Sequence, residues 1–341
     1  MGETILITGA TGYIGFKTML LALEAGYKVR AVIRKQGQAD KLKTHPKIAP
    51  YAANLEFAVI SDLTQDGAFD EALLGIDAVL HLASPLANET DDYERDIIKP
   101  AVAVNISLLH SALTHTSVKR IIITSSMVTL IPFSWLSTPN TTKTYSSTDT
   151  NTTTTGPFTL AMEAYWSSKA LARLAVRDFV TTKTPGFEVI QLLPSVVIGA
   201  DDRATSLEDL KTNTPLWSLK LSPLLGIKQD TPMVGVPVDV ADVARAHVDA
   251  INPRVPGNKE YVLSAETPNG VVWNDMIGIV EERWPERVGK SELPLGGSLP
   301  STVWKIDVGE TEEAFGWGFR AFEDTVAGVV GQYLELFNGE V

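Results

Sequence analysis

Residues 4–15 read Thr-Ile-Leu-Ile-Thr-Gly-Ala-Thr-Gly-Tyr-Ile-Gly, an apolar run that passes directly into glycines 9, 12 and 15. The run has the composition of a buried parallel strand, and the glycines that follow it form a turn opening a helix. A strand–turn–helix of this kind aims the free N–H groups of the first helical turn at an anion, and a dinucleotide pyrophosphate fits it. Gly9 permits the tight turn, Gly12 lets phosphates approach the backbone, and Gly15 lets the helix pack closely on the sheet. Thr11, Tyr13 and Ile14 lie between them in the same cofactor-binding turn. The spacing is G-x-x-G-x-x-G rather than G-x-G-x-x-G. A glycine-rich turn with no ligand has the same look, so the rest of the chain must decide.

Working outward, apolar strands alternate with helical stretches for about two hundred residues. Strands are expected at 4–8, 28–33, 55–60, 77–82, 119–124 and 187–193, with helices near 13–25, 67–74, 92–115 and 161–182. Gly26 closes the first helix, and Pro185-Gly186 stop the last. This alternation predicts an α/β fold, a Rossmann-type doubly wound parallel sheet covered on both faces. Residues 134–157 break the pattern with a Thr/Ser-rich stretch, expected to be an exposed, mobile excursion that either covers the site as a lid or is merely tolerated surface. Its two glycosylation sequons, at Asn140 and Asn151, are expected to stay unused. After residue 200 prolines punctuate a long connection, and Val238–His247 resembles a short strand entering a helix. The expected division is a dinucleotide domain of 1–194 plus 236–250, and a smaller C-terminal substrate lobe of 195–235 plus 251–341.

Composition narrows the partners. The 341 residues carry 29 Lys and Arg against 41 Asp and Glu, a formal charge of −12, which argues against nucleic acid held through its phosphates. No apolar run reaches the ~18 residues of a membrane span. The chain has no cysteine, so neither a disulfide framework nor a thiolate metal site is expected, and no metal. The first strand begins too early for a signal peptide, and Leu6 stands where a myristoylation motif wants Ser or Thr. A cytoplasmic address is the expectation.

Within the helix near 161–182 lies Tyr165-Trp166-Ser167-Ser168-Lys169. Tyr and Lys at i and i+4 share one helix face, which brings an ammonium near a phenol and is expected to lower the phenol's pKa. Such a tyrosine can protonate a carbonyl oxygen while hydride reaches the carbon. With eight tyrosines in the chain, the pair alone also reads as an ordinary surface pair. Thr124-Ser125-Ser126 ends an apolar strand, and ligands of open parallel sheets sit beyond the strands' carboxyl ends.

With the glycine turn, the post-strand serine and the helical Tyr/Lys pair in chain order, the sequence resembles the extended short-chain dehydrogenase/reductase superfamily over nearly its whole length. The likeness is to the dihydroflavonol-reductase-like branch, and within it to yeast and fungal methylglyoxal/isovaleraldehyde-type carbonyl reductases. Ala83-Ser84-Pro85, Glu94-Arg95-Asp96 and Pro100-Ala101-Val102 carry that likeness. The resemblance implies Ser126, rather than Ser125, as the catalytic serine, Tyr165 as proton donor, and Lys169 as the residue that binds the nicotinamide ribose and tunes Tyr165. It implies cofactor contacts at Asp62-Leu63, Ala83, Ser84, Pro85, Thr124, Pro194, Val196 and Val197. Relatives carry an Asn in the helix before strand five as part of a proton relay. Ala103 aligns there, and Asn105 falls on a different helix face.

The end of strand two reads Ile33-Arg34-Lys35, with no carboxylate before Asp40. Arginine there suits a 2′-phosphate, so NADP(H) is expected, with Lys35 or Lys41 supporting Arg34. The expected reaction is NADPH-dependent reduction of a ketone or aldehyde, an oxidoreductase acting on carbonyl and CH–OH groups. Its small-molecule carbonyl substrate would meet Leu86, Ser126, Met127, Val128, Trp166 and Val196, an apolar lining. The competing readings are an NAD-retaining epimerase or dehydratase on the same scaffold, and a non-catalytic dinucleotide sensor. The assembly is expected to be a monomer or homodimer.

Overall fold

The computed structural model describes residues 3–136 and 138–339. Met1-Gly2, weighed above for a lipid modification, and Ser137 within the Thr/Ser-rich stretch lie outside the described residues. Seven strands form the main sheet: β1 (Thr4–Thr8), β2 (Lys28–Ile33), β3 (Leu55–Val59), β4 (Ala78–His81), β5 (Arg120–Thr124), β6 (Glu188–Pro194) and β7 (Lys259–Leu263). Their spatial order is β7-β6-β5-β4-β1-β2-β3, and every adjacent pair is parallel. The order reverses between β1 and β4, and in open α/β sheets ligands bind at that switch point, beyond the strands' carboxyl ends. The glycine turn follows β1 and Ser84 follows β4, so both stand at it.

Parallel strands need crossovers, and the helices supply them on both faces. On one face α1 (Tyr13–Glu24), α2 (Gly37–Thr44) and a later helix, α5 (Val240–Asp249), cover a core that includes Ile5, Ile7, Phe16, Met19, Leu23, Val29, Val243 and Ala246. On the other, α3 (Lys99–Ala112) and α4 (Ala161–Lys183) bury Leu108, Leu109, Val176 and Phe179 against Leu6, Val79 and Ile121. A second core lies in the later part of the chain. There helices Met276–Arg283 and Phe322–Gly339 pack with Trp217, Leu221 and Trp273. Among the described residues no helix is long and apolar enough to cross a membrane.

Four expectations need correction. Residues 67–74 form turns rather than a helix. Left-handed Gly67 and Gly75 bracket them, and Phe69, Leu73 and Ile76 fix them by burial. The helix expected to start near 92 enters through a π-helical turn (Glu94–Ile98) and becomes α-helical only around Pro100, which has no N–H to give to a preceding turn. The stretch 134–157 is not a free excursion. Tyr145 and Asn151 are buried, and Thr144–Tyr145 pairs with Lys305–Ile306. Buried Arg173 of α4 also donates to the carbonyls of Ser147 (2.5 Å) and Asp149 (2.9 Å). Finally, β7 comes from the stretch assigned to the second lobe. Five residues at a sheet edge carry too little apolar periodicity to stand out.

Candidate active site

The cofactor end is built by steric necessity. Gly9 has φ +72°, and a Cβ there would stand 2.9 Å from the Ala83 nitrogen. A Cβ on Gly15 would lie 2.0 Å from the Gly9 oxygen, so the helix can start against the turn only without a side chain. Gly12 N donates to Gly9 O (2.9 Å). No side chain caps α1 and no acidic residue stands in its first turn. The N–H groups of Tyr13, Ile14 and Gly15 are thus open to an anion with no carboxylate to repel it. This cradle fits a dinucleotide's pyrophosphate. Tyr13's side chain is used elsewhere. Its hydroxyl donates to Gly199 O (2.7 Å), and burial raises its pKa well above the usual tyrosine value.

Thr8, at the end of β1, ties the two strands at the switch point together. Its Oγ1 accepts from the N–H groups of Leu82 (3.1 Å) and Ala83 (3.0 Å) and faces His81 Nδ1 at 2.9 Å. With both amides donating in, the hydroxyl proton goes to His81 Nδ1, which places the ring proton on Nε2. Burial, with the Lys169 charge adding to it, holds that imidazole neutral, its pKa lowered to about 3.

At the reacting end, the Ser126 and Tyr165 hydroxyls lie close enough for Ser126 to act on the titration of Tyr165. Ser126 adopts an extended backbone just past β5 and caps the short helical turn Met127–Thr129 through Val128 N (3.4 Å). Ser125 is buried and lines a cavity behind Lys169. Burial raises the Tyr165 pKa to about 12, with the nearby Ser126 hydroxyl opposing the rise. This corrects the expectation of a lowered phenol pKa. The Lys169 ammonium stands 5.8 Å from the Tyr165 ring centroid, bonds to Ser84 Oγ at 2.9 Å, and does not offset the desolvation. Lys169 is itself buried, and its pKa falls to about 8. Burial favours the neutral form of both groups.

The cavity behind Lys169 is small, about 10 Å³, and is lined by Ser84, Asn105, Thr124, Ser125, Arg173 and Gln191 among others. That is room for about one water between polar walls. Asn105, set aside in the sequence reading, therefore stands beside Lys169, its Nδ2 donating to Ala101 O (2.7 Å). The π-helical turn ahead of α3 sets the helix phase, which a count from the upstream motifs does not anticipate.

Other expected contacts divide by what their side chains already do. Arg34 and Lys35 are exposed at the end of β2, and both their amides donate to Gln38 Oε1 (2.9 and 3.2 Å). Exposed Asp62 accepts from Thr64 and Gln65, bonds that lower its pKa, while half-buried Leu63 packs on the core. Thr124's hydroxyl bonds to His247 Nε2 at 2.6 Å, which leaves it only acceptor capacity for a ligand. His247 Nδ1 faces the Val243 carbonyl (2.7 Å), so Nδ1 carries the proton and Nε2 accepts from Thr124. Pro194 ends β6, and half-buried Val196 and Val197 form a short strand paired with Pro237–Asp239.

Of the expected substrate contacts, Ser84 and half-buried Pro85 lead to Leu86, which is 71% exposed. Val128, Val196 and Tyr165 are half-buried on one apolar cluster with Phe133 and Trp135. Met127 and Trp166 are core residues instead. Each is 3% exposed, and Trp166 is wedged edge-on between Phe133 (5.4 Å) and Trp304 (5.7 Å). Helix periodicity turns Trp166 about 100° away from Tyr165, which carries it off the open face.

The sequence pattern of the NAD dependent epimerase/dehydratase family matches residues 5–263. The chain is 35% identical over 344 residues to ketoreductase CTB6 of Cercospora beticola, covering 97% of this chain and 95% of the relative. It is 28% identical to a putative NADPH-dependent methylglyoxal reductase of Candida albicans, covering 96% and 98%. The crystal structure of yeast methylglyoxal/isovaleraldehyde reductase Gre2 complexed with NADPH superposes with a TM-score of 0.81 at 26% identity, over 99% of this chain and 100% of that one. The chain belongs to the NAD dependent epimerase/dehydratase family, the extended short-chain dehydrogenases/reductases.

Proposed function

We propose that the protein is an NADP(H)-dependent carbonyl reductase acting on an apolar ketone or aldehyde, with Tyr165 as proton donor. The observation that carries this is the Ser126–Tyr165 hydroxyl pair beside buried Lys169, at the same sheet edge as the uncapped glycine turn. Names of relatives support it, since they are ketoreductases and a methylglyoxal reductase. The cofactor reading draws on the same relatives and on Arg34, a cation where NAD-selective sites place a carboxylate.

When bound, the cofactor supplies a hydride to the carbonyl carbon. Tyr13, Ile14 and Gly15 would hold its pyrophosphate, Arg34 its 2′-phosphate, and Lys169 the nicotinamide ribose. Ser126 donates a hydrogen bond to the carbonyl oxygen, which withdraws charge from the carbon. Tyr165, held as the neutral phenol by burial, gives its proton to that oxygen as negative charge develops. Lys169 stabilises the phenolate left behind and faces the water-sized cavity with Asn105, from which a proton can be restored. Half-buried Val128, Val196 and Phe133 form an apolar wall with no carboxylate or ammonium of their own, which suits an uncharged substrate. The residues after 195 outside α5 and β7 form the lobe that would close the substrate side.

A panel of aldehydes, α-ketoesters, diketones and aryl ketones, followed by NADPH absorbance and product analysis, tests this reading. The expected outcome is NADPH consumed in equal amount to alcohol formed. Isomerised or dehydrated product without net NADPH loss contradicts it and returns the epimerase or dehydratase reading. NADPH binding with no turnover of any carbonyl returns the sensor.

A further inference from the structure

A cavity of about 470 Å³ opens between α1, α2 and the segment after residue 200. Its walls include Thr11 at the tip of the glycine turn, Gln38 and Lys41 of α2, His45, and Arg203 and Asp209 from the later segment. Arg203 is the unexpected member, because it comes from the second part of the chain rather than from the end of β2. Its guanidinium forks onto Asp201 (Nε–Oδ1 2.9 Å, Nη2–Oδ2 2.6 Å), and Nη2 also donates to Asn213 O (2.7 Å). Nη1 makes only a long bond to the Thr11 carbonyl (3.4 Å), while the group lies 5.8 Å from the Tyr13 ring centroid. A guanidinium has five N–H donors, so Nη1 keeps one to give.

The anchoring below Arg203 is firm. Asp201 is buried, takes a further bond from Thr214 Oγ1 (2.7 Å), and is held through its backbone at both ends by Gln332 (2.8 Å each). On the opposite wall, Gln38 Oε1 is committed to the Arg34 and Lys35 amides, which leaves its NH₂ as a donor. The cavity therefore adjoins the turn that carries Arg34. Lys41, Arg203 and Asp209 line the cavity, and Asp201 beneath Arg203 pairs with its guanidinium. The Asp209 carboxylate is occupied by the amide and the hydroxyl of Thr205.

We infer that Arg203 is a specificity-determining residue for the cofactor: with Lys41 and Gln38 it receives the 2′-phosphate from the side opposite Arg34. The inference rests on the NADP(H) reading above. A planar guanidinium already fixed by a buried carboxylate loses little freedom on pairing with a phosphate, which suits it to discriminate one phosphate group. Placing this cation on the second lobe also joins recognition of the 2′-phosphate to the contact between lobe and glycine turn.

Calorimetric titration of 2′,5′-ADP and of 5′-AMP into the wild-type chain, Arg203→Gln and Arg203→Lys separates the possibilities. Thermal unfolding confirms that each variant is folded. The wild type is expected to bind 2′,5′-ADP at least ~10-fold more tightly than 5′-AMP. Arg203→Gln should weaken 2′,5′-ADP about tenfold and leave 5′-AMP nearly unchanged, and Arg203→Lys should recover part of the loss. If Arg203→Gln does not fold, Arg203→Lys carries the test, with a smaller loss confined to 2′,5′-ADP. Equal weakening of both ligands means that Arg203 only supports the Thr11 turn, and unchanged affinities mean that it does neither. Either result overturns the inference while leaving the NADP(H) reading intact. A wild type with no preference for 2′,5′-ADP overturns both.

Discussion

Tyr165 and Lys169 are tuned in opposite senses by one cause. Burial disfavours phenolate and ammonium alike, so the tyrosine rises to about 12 and the lysine falls to about 8. At neutral pH the pair is a neutral phenol beside a cation, the combination that carbonyl reduction requires. Above pH 8 Lys169 loses its proton, and with it the charge that in the proposed mechanism stabilises the phenolate of Tyr165. The rate of reduction at saturating NADPH is therefore expected to be flat from pH 6 to 7 and to fall with a midpoint near 8, approaching tenfold per pH unit beyond it. Lys169→Met should be slow throughout and lack that limb. A wild-type profile still level at pH 9.5 would show that the charge on Lys169 is not needed.

At the scale of elements, the strand–turn–helix at 4–24 is the part that sequence made most legible, because its glycines are forced by backbone contact. Gly15→Ala sets a methyl 2.0 Å from a carbonyl oxygen that no rotamer change can move. We expect NADPH affinity to drop by at least ~10-fold and the thermal midpoint to fall by several degrees. Gly328→Ala, within the helix Phe322–Gly339 and with open space around its Cβ, is the matched control. It should keep NADPH affinity and gain about 0.5–1 kcal/mol of stability from helix propensity. Equal effects from the two substitutions, read by unfolding and NADPH fluorescence titration, would count against the steric account of the turn. The other long apolar strands were equally plain, since burial on both faces leaves continuous hydrophobic runs. β7 was hidden because its apolar run is only Tyr261-Val262-Leu263, behind Lys259 and Glu260, and 134–157 because its polar composition conceals backbone contacts to Arg173.

Across the whole molecule, distant segments meet through buried polar groups whose partners sequence cannot pair. Arg173, fully buried on α4, joins Glu260 of β7 to the carbonyls of 147 and 149. His247 reaches Thr124, and Arg203 reaches the glycine turn. The candidate site was half legible. Motifs pointed to Ser126, Tyr165, Lys169 and Arg34, because those residue types at those places suit the proposed reaction. Trp166 as core, Asn105 beside Lys169 and the raised phenol pKa depend on helix phase and burial, which motif spacing does not encode. The central claim, that Tyr165 does chemistry rather than binding, is tested most directly by Tyr165→Phe, measured for both NADPH affinity and single-turnover reduction of the best carbonyl substrate. The expected result is an NADPH dissociation constant within about threefold of wild type and a reduction rate lower by at least ~10³-fold, in keeping with loss of a positioned general acid. Reduction within tenfold of wild type would contradict it.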